Sequence, residues 1–347
     1  MQKKCSRKWE FKVSSNRIAF IGLGQMGTPM VKHLLAAGCD VSGFDLSPAV
    51  LEELAGQAHF VGCKTTREAV AGSDVCILML PNSDVVERVL WDTDTGISAV
   101  LKADQIIIDM GSSDPFRSQK NAERLAAQGV KFVDAPVSGG VKRARDATLS
   151  IMMGGDVDTV AKVQPLLELM GKHLSHLGGA GAGHAVKALN NYVSAAGLVA
   201  TCEAITAAQA FGLDPKAVNQ VFNTSSGKNN TTELKVEKFM LSGAYDSGFS
   251  LGLMRKDVKT AADFIKNLET PGAVSSVCLD VWTRAEESLP KGVTTRRCIS
   301  FCRTVSSRFK RTSLALKKRA RKRYDTREAR PRRRRMPAHL HDLGRRI

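Results

Sequence analysis

Ile18-Ala19-Phe20-Ile21-Gly22-Leu23-Gly24-Gln25-Met26-Gly27 joins four apolar residues to a turn with glycine at its first, third and sixth places. The apolar run reads as a short buried strand and the segment near 26–37 as a helix, so the glycines stand where strand passes into helix. Each has its own job there. Gly22 permits the tight turn, Gly24 lets backbone amides approach a pyrophosphate, and Gly27 lets the helix pack on the strand with its N-terminal dipole toward the phosphates. Leu23, Gln25 and Met26 complete this candidate cofactor-binding turn. Asp45 ends the next β-rich run, at the offset where a carboxylate accepts both ribose hydroxyls of NAD and repels a 2′-phosphate. No arginine follows in Leu46-Ser47-Pro48-Ala49-Val50. NAD is the expected cofactor and NADP the alternative; the competing reading of Asp45 is a turn-closing side chain.

The alternation continues outward from this stretch. Strand-like runs at 18–21, 41–45, 75–80, 106–109, 131–134 and 149–153 are interleaved with helical stretches near 26–37, 48–55, 83–91, 114–128 and 156–170. That pattern predicts a Rossmann-type, doubly wound parallel α/β sheet over 17–180. After Gly178-Gly179-Ala180-Gly181 the chain turns Ala-rich and helical from about 183 to 211. Gly212-Leu213-Asp214-Pro215 then reads as a helix stop followed by a new start, with Asp214 as cap and Pro215 at the first helical place. The rest reads as helix to about 287, so an all-α domain is expected over 181–292.

A chain of 347 residues with 43% hydrophobic content has room for two cores. Its net charge of +17 is unevenly placed: residues 293–347 hold 20 of the 51 Lys and Arg and three of the 34 acids, leaving 31 of each sign before them. The body is formally neutral, and the excess lies in a tail containing Lys317-Lys318-Arg319-Ala320-Arg321-Lys322-Arg323 and Arg332-Arg333-Arg334-Arg335. Blocks of like charge read as disordered, or as an arm for nucleic acid or another acidic surface. Runs such as 75–80 stop well short of the ~20 residues that span a bilayer, so no membrane segment is expected. Eight scattered cysteines point to a reducing, cytoplasmic setting rather than a disulfide framework. The histidines form no cluster with metal-site spacing, and no metal is expected. Residues 1–16 are a polar, basic leader, read as disordered, with an organelle-targeting presequence as the rival.

Two further segments carry chemistry. Asp134-Ala135-Pro136-Val137-Ser138-Gly139-Gly140 follows a strand and offers a hydroxyl with exposed backbone amides, a loop able to hold a carboxylate. An ordinary Ser-Gly-Gly turn is the alternative. Lys187 and Asn191, four residues apart in the Ala-rich helix, share one face and aim a cation and an amide at one spot.

Taken together these segments resemble the β-hydroxyacid dehydrogenase family, including 3-hydroxyisobutyrate dehydrogenases and tartronate semialdehyde reductases. The glycine turn, Met79-Leu80-Pro81, the Asp134 loop, Gly183-His184-Ala185-Val186-Lys187-Ala188-Leu189-Asn190-Asn191 and Lys256-Asp257 follow the family's order and spacing over about 17–292. The resemblance implies an NAD(P)-dependent oxidoreductase for a small hydroxy acid, 3-hydroxyisobutyrate favoured over tartronate semialdehyde. It implies Lys187 as acid/base, substrate binding by Ser138, Gly139, Gly140 and Asn191, and Lys256 closing over the cofactor and substrate. Leu80, Pro81 and Ser112 would line the nicotinamide side, and the helical domain would support a homodimer or homotetramer. Two departures stand out: Ala147 occupies a usual glycine before Thr148-Leu149, and Arg143 a usual small residue.

The family's last helix is followed by a segment like Gly-Ala-Asp-His-Thr-Glu, where this chain has Val293-Thr294-Thr295-Arg296-Arg297-Cys298-Ile299. One permitted codon set for that run, GTG ACC ACA CGG AGA TGC ATC, reads Asp-His-Thr-Glu-Met-His two bases later. An out-of-frame C-terminus over 293–347 is therefore the expected origin of the basic tail. A nucleic-acid-binding protein acting through a genuine tail is the alternative of another class.

Overall fold

The computed structural model describes residues 17–244 and 249–289. The leader over 1–16 and the tail over 293–347, with the out-of-frame reading attached to it, lie outside the described residues. The first half runs β1 (Arg17–Ile21), α1 (Gly27–Ala36), β2 (Asp40–Phe44), α2 (Pro48–Leu54), β3 (Phe60–Gly62), α3 (Thr66–Val70), β4 (Val75–Leu78), α4 (Ser83–Trp91), β5 (Ile106–Asp109) and α5 (Pro115–Ala126). It continues through β6 (Lys131–Asp134), β7 (Val137–Ser138), α6 (Gly140–Arg145), β8 (Leu149–Gly155), α7 (Val157–Leu167) and β9 (Gly171–His176). Then come α8 (Ala182–Phe211), α9 (Pro215–Thr224), α10 (Asn230–Leu234), a π-helical turn (Val236–Leu241), α11 (Leu251–Asn267) and α12 (Ala273–Ser288).

The strands lie in the order β3-β2-β1-β4-β5-β6-β8-β7, with β9 beside β8. From β3 to β6 every pair is parallel. Alternate residues explain why both faces are covered: Ile18 and Phe20 enter one buried cluster, Ala19 and Ile21 another. The strand order reverses between β1 and β4, so a crevice opens at their C-terminal ends, with Gly22 following one and Met79 the other.

The expected all-parallel sheet changes at its far side. β8 runs antiparallel to β6 because β7 and the six-residue α6 turn the chain back without a crossover of the length that parallel return requires. The strand expected at 75–80 ends at Leu78, which frees Met79, Leu80 and Pro81 to form a loop over the glycine turn. β3, β7, α3 and α6 were not anticipated; at two to six residues they are too short for periodicity to register.

After His176 the described chain is helical. α8 is 30 residues long and ends at Gly212, whose φ of +97° only glycine adopts without cost. Asp214 then caps α9, accepting from the amides of Lys216 (3.3 Å) and Ala217 (3.0 Å), with Pro215 at the first place, as the sequence predicts. By length and composition alone α8 would pass as a membrane span, which reading short apolar runs missed. Its buried His184, Asn191 and Thr201 instead face protein, against the sheet and α11.

Candidate active site

The glycine turn has the geometry of a cradle. A Cβ on Gly22, whose φ is +97°, would lie 2.4 Å from the Met79 carbonyl oxygen, and one on Gly27 would lie 2.1 Å from the Gly22 oxygen. Gly24 has nothing within 4 Å, so the turn's outer side is open at the N-terminus of α1. Leu23 buries its side chain and gives its amide to Oδ2 of Asp45 at 2.7 Å, while Ser47 donates to Oδ1 at 2.8 Å. Gln25 is exposed and Met26 half-buried. Asp45 is thus fixed beside the turn, at the edge of a cavity of about 780 Å³ whose walls include Leu46, Leu51 and Phe60.

The second part of the site spans the sheet and the helices. Lys256, on α11, donates from Nζ to the carbonyl oxygens of Pro81 (3.0 Å) and Ser112 (2.8 Å), tying two loops at the strand ends to the helical domain. Leu80 lies between them: its Cδ2 would be 3.3 Å from a Cβ on Gly22, and its carbonyl oxygen 2.5 Å from a Cβ on Gly111. Asp257 is the hub. It accepts from Ser112 Oγ at 2.9 Å and from Asn191 Nδ2 at 2.6 Å, and its Oδ1 lies 3.2 Å from Lys256 Nζ. Burial lowers the Lys187 pKa from its ordinary value; the Asp257 charge partly opposes this, and Lys256 adds to it. A lysine so placed is readied to exchange a proton, whereas a solvated one is not.

Beneath this face lies a junction of three buried ionisable groups. Asp134, at the end of β6, accepts from the amides of Gly181 (2.7 Å) and His184 (2.8 Å), so the first turn of α8 docks on its carboxylate. Asp109, at the end of β5, accepts from Gly111 N at 2.9 Å and Ser113 Oγ at 2.7 Å. The His184 ring sits between them, Nδ1 3.7 Å from Asp134 and Nε2 3.8 Å from Asp109, with Ser118 Oγ 2.8 Å from Nδ1. Burial raises the Asp134 carboxyl above its usual range, the neighbouring His184 and donated amides oppose this, and Asp109 reinforces it. The Ser112 loop, the Ser138 loop and the Lys187 helix are therefore rooted in one place.

Ser138, Gly139 and Gly140 follow four to six residues after Asp134, on the stretch that leaves β6. Ser138 pairs with Ser150 in the β7–β8 ladder, and Gly139 and Gly140 have φ of +131° and +67° with their backbone exposed. The Arg143 stem covers Gly139: a Cβ there would lie 2.4 Å from Arg143 Cδ. Ala147 has a φ of +50°, which accounts physically for the glycine usual in the family. Asp257 was named in the sequence only as part of a pair, and Asp109 and His184 carried no assigned role; their signal was the strand-end acid and the helical i, i+3 spacing of His184 with Lys187. The stretch 225–230 lies against α8 near Gly197 and Thr201, with Asn229 capping α10.

Two family descriptions match the chain: the NAD binding domain of 6-phosphogluconate dehydrogenase over residues 17–178, and the NAD-binding domain of NADP-dependent 3-hydroxyisobutyrate dehydrogenase over 181–301. The chain is 36% identical to 2-(hydroxymethyl)glutarate dehydrogenase of Eubacterium barkeri over 268 residues, 77% of this chain and 88% of that one. It is 34% identical to 2-hydroxy-3-oxopropionate reductase of Escherichia coli over 266 residues, 77% and 90% of the two chains. The solved structure of Mycobacterium tuberculosis 3-hydroxyisobutyrate dehydrogenase with L-serine superposes with a TM-score of 0.76 at 33% identity, covering 83% of this chain and 99% of that one.

Proposed function

The chain belongs to the β-hydroxyacid dehydrogenase family and is an NAD(P)-dependent dehydrogenase acting on a hydroxyl group; from that premise we propose that it interconverts a small 3-hydroxy acid and its semialdehyde or oxo acid. A 3-hydroxyisobutyrate-like substrate is favoured and tartronate semialdehyde is the second candidate. The observation that carries this reading is the Asp257 hub, which draws Ser112, Asn191 and Lys256 together beside a Lys187 whose pKa is lowered.

The residues present fit the cofactor. Gly24 opens onto free space at the start of α1 where a pyrophosphate would meet backbone amides, and Asp45 stands where ribose hydroxyls would donate. Bound there, the nicotinamide supplies the acceptor or donor of a hydride. In oxidation neutral Lys187 takes the substrate hydroxyl proton; in reduction its ammonium form returns one. Asn191 and the Ser138-Gly139-Gly140 loop orient the acid, the loop amides facing its carboxylate. Lys256 holds the Pro81 and Ser112 loops against α11, with Leu80 and Ser112 on the nicotinamide side.

We assign the cofactor domain to 17–180 and the substrate and oligomerisation domain to 181–292, with the reaction in the cleft between them. Exposed Val186 and Val193 on α8 and Val274 and Val277 on α12 offer apolar surface for a homodimer or homotetramer. The proposed location is the cytoplasm. A screen of short hydroxy acids with NAD and NADP, on the wild type and on Lys187→Ala, tests the reading. Loss of at least a hundredfold in kcat for the variant is expected; turnover equal to wild type would overturn the mechanism.

A further inference from the structure

α6 is six residues long, too short to keep a helical shape by its own hydrogen bonds, so what holds its ends decides whether it stays folded. Its last four carbonyls all have donors. Lys142 and Arg143 accept from the amides of Asp146 (3.0 Å) and Thr148 (2.9 Å), on either side of Ala147. The carbonyls of Ala144 and Arg145 are met from far along the chain, by His33 Nε2 at 3.0 Å from each. Both oxygens can only accept, so Nε2 carries a proton and donates to the pair. The Ala144 methyl is buried in the same cluster as Met30, Val31 and Leu34, which seats α6 against α1.

His33 lies in the last turn of α1, and the two helices it joins lead to the two halves of the reaction site. α1 begins at the glycine turn, where Gly24 opens onto the space a cofactor pyrophosphate would take. α6 begins at Gly140, in the loop proposed to hold the substrate carboxylate, and its Arg143 stem packs over Gly139. Six helical residues span about 9 Å, so a displacement at the His33 end is carried to the loop along a short, stiff rod. We propose that His33 is a positioning residue that couples cofactor binding on α1 to carboxylate binding at the Ser138 loop by holding α6 folded. This inference rests on the dehydrogenase reading above and deepens it.

The element with two states is α6 itself, folded or frayed. Cofactor phosphates on the amides at the start of α1 order that helix and, through His33, favour folded α6; a carboxylate on the loop amides favours it too. Each ligand lowers the ordering cost that the other meets, so the coupling is reciprocal. An imidazole suits the task, because one ring N–H reaches two neighbouring carbonyls at a helix C-terminus, where a donor or a cation is favoured. An aliphatic side chain of similar size fills the space but leaves both carbonyls without that donor.

The test begins with binding that needs no turnover. Isobutyrate, which has the carboxylate of the proposed substrate and no hydroxyl to oxidise, is titrated calorimetrically into the full chain with and without saturating NAD. In wild type NAD should tighten isobutyrate about fivefold or more, and isobutyrate should tighten NAD by the same factor. His33→Leu should bring that factor to about one, while His33→Gln, which keeps an N–H donor, should retain most of it. In oxidation of 3-hydroxyisobutyrate, His33→Leu should raise KM about fivefold or more and leave kcat within about twofold. Hydrogen exchange on the wild type requires no variant: NAD should slow the amides of Ala144 and Arg145 about tenfold or more. Oxidation of 3-hydroxyisobutyrate with exchange in α6 unchanged by NAD, or with equal coupling in wild type and His33→Leu, would overturn the role of His33 and leave the dehydrogenase reading standing. Protection by NAD that is lost in His33→Leu, with no short hydroxy acid oxidised, would support that role and sink the proposed substrates.

Discussion

Asn191 donates to Asp257 at 2.6 Å, and through that bond the helix bearing Lys187 is joined to the helix bearing Lys256. Asp257 is buried and also receives Ser112, so one carboxylate links three separate stretches of chain and supplies the charge that partly opposes the fall in the Lys187 pKa.

Replacing Asp257 by Asn removes that charge while keeping the shape. The Lys187 pKa should fall further, because the opposing influence is gone while burial and Lys256 remain. The acidic limb of the pH profile for kcat/KM in oxidation should move to lower pH. The new amide would also face the Asn191 donor, and the broken buried bond should cost about 1–3 kcal/mol, or roughly ten- to a hundredfold in kcat/KM. A profile coincident with wild type would show that Asp257 does not act on Lys187.

With Lys187 as the proposed acid/base of the unaltered protein, oxidation would require its neutral form and reduction its ammonium form. Oxidation should therefore rise with pH through a pKa below the free-lysine value of ~10.4, and reduction should fall through the same value. Stability follows with a definite sign. The folded state disfavours the proton on Lys187, so the penalty is complete below the folded pKa and shrinks as pH rises from there toward the unfolded value. Urea denaturation of Lys187→Met should lose this component of pH dependence, with the variant at least as stable as wild type at pH 7.

Asp45 should set the preference for NAD. Its carboxylate is held by the amides of Leu23 and Ser47, facing the turn rather than solvent. Asp45→Ala should raise the KM for NAD by roughly ten- to a hundredfold, from loss of hydrogen bonds worth about 1–3 kcal/mol together, and should narrow the NAD over NADP ratio. Initial rates with the two cofactors measure both effects, and an unchanged ratio would return Asp45 to a turn-closing role.

Ala147 should be a site of easy stabilisation. Its φ of +50° costs an L-residue about 1–2 kcal/mol, whereas glycine meets no such cost but loses more entropy on folding. Ala147→Gly should therefore gain about 0.5–1 kcal/mol, read as a higher urea midpoint with an unchanged slope. A lower midpoint would indicate that the Ala147 methyl contributes packing that outweighs the strain.

Features whose causes are local were legible in the sequence. The glycine turn, the strand before it and the Gly212-Leu213-Asp214-Pro215 break declare themselves within a few residues, because steric freedom, fixed φ and capping act over a single turn. Lys187 and Asn191 were recognisable as partners because helical spacing places them on one face. Asp257 and His184 were not, since their roles come from partners far along the chain: Ser112 is 145 residues from Asp257, and Ser118 is 66 from His184. The reversal of β8 was hidden for a similar reason, because direction depends on how β7 and α6 fold back and not on the composition of the strand.

The junction at Asp134 limits how this scaffold could be re-engineered. Gly154 and Gly183 both press on that carboxylate so closely that a Cβ on either would collide, at 2.5 Å and 2.9 Å from its oxygens. The Ser138 loop is consequently not a detachable cassette. A graft meant to install another specificity would have to carry Asp134, both glycines and the opening turn of α8 as one inheritable block, or the transplanted loop would arrive without its foundation.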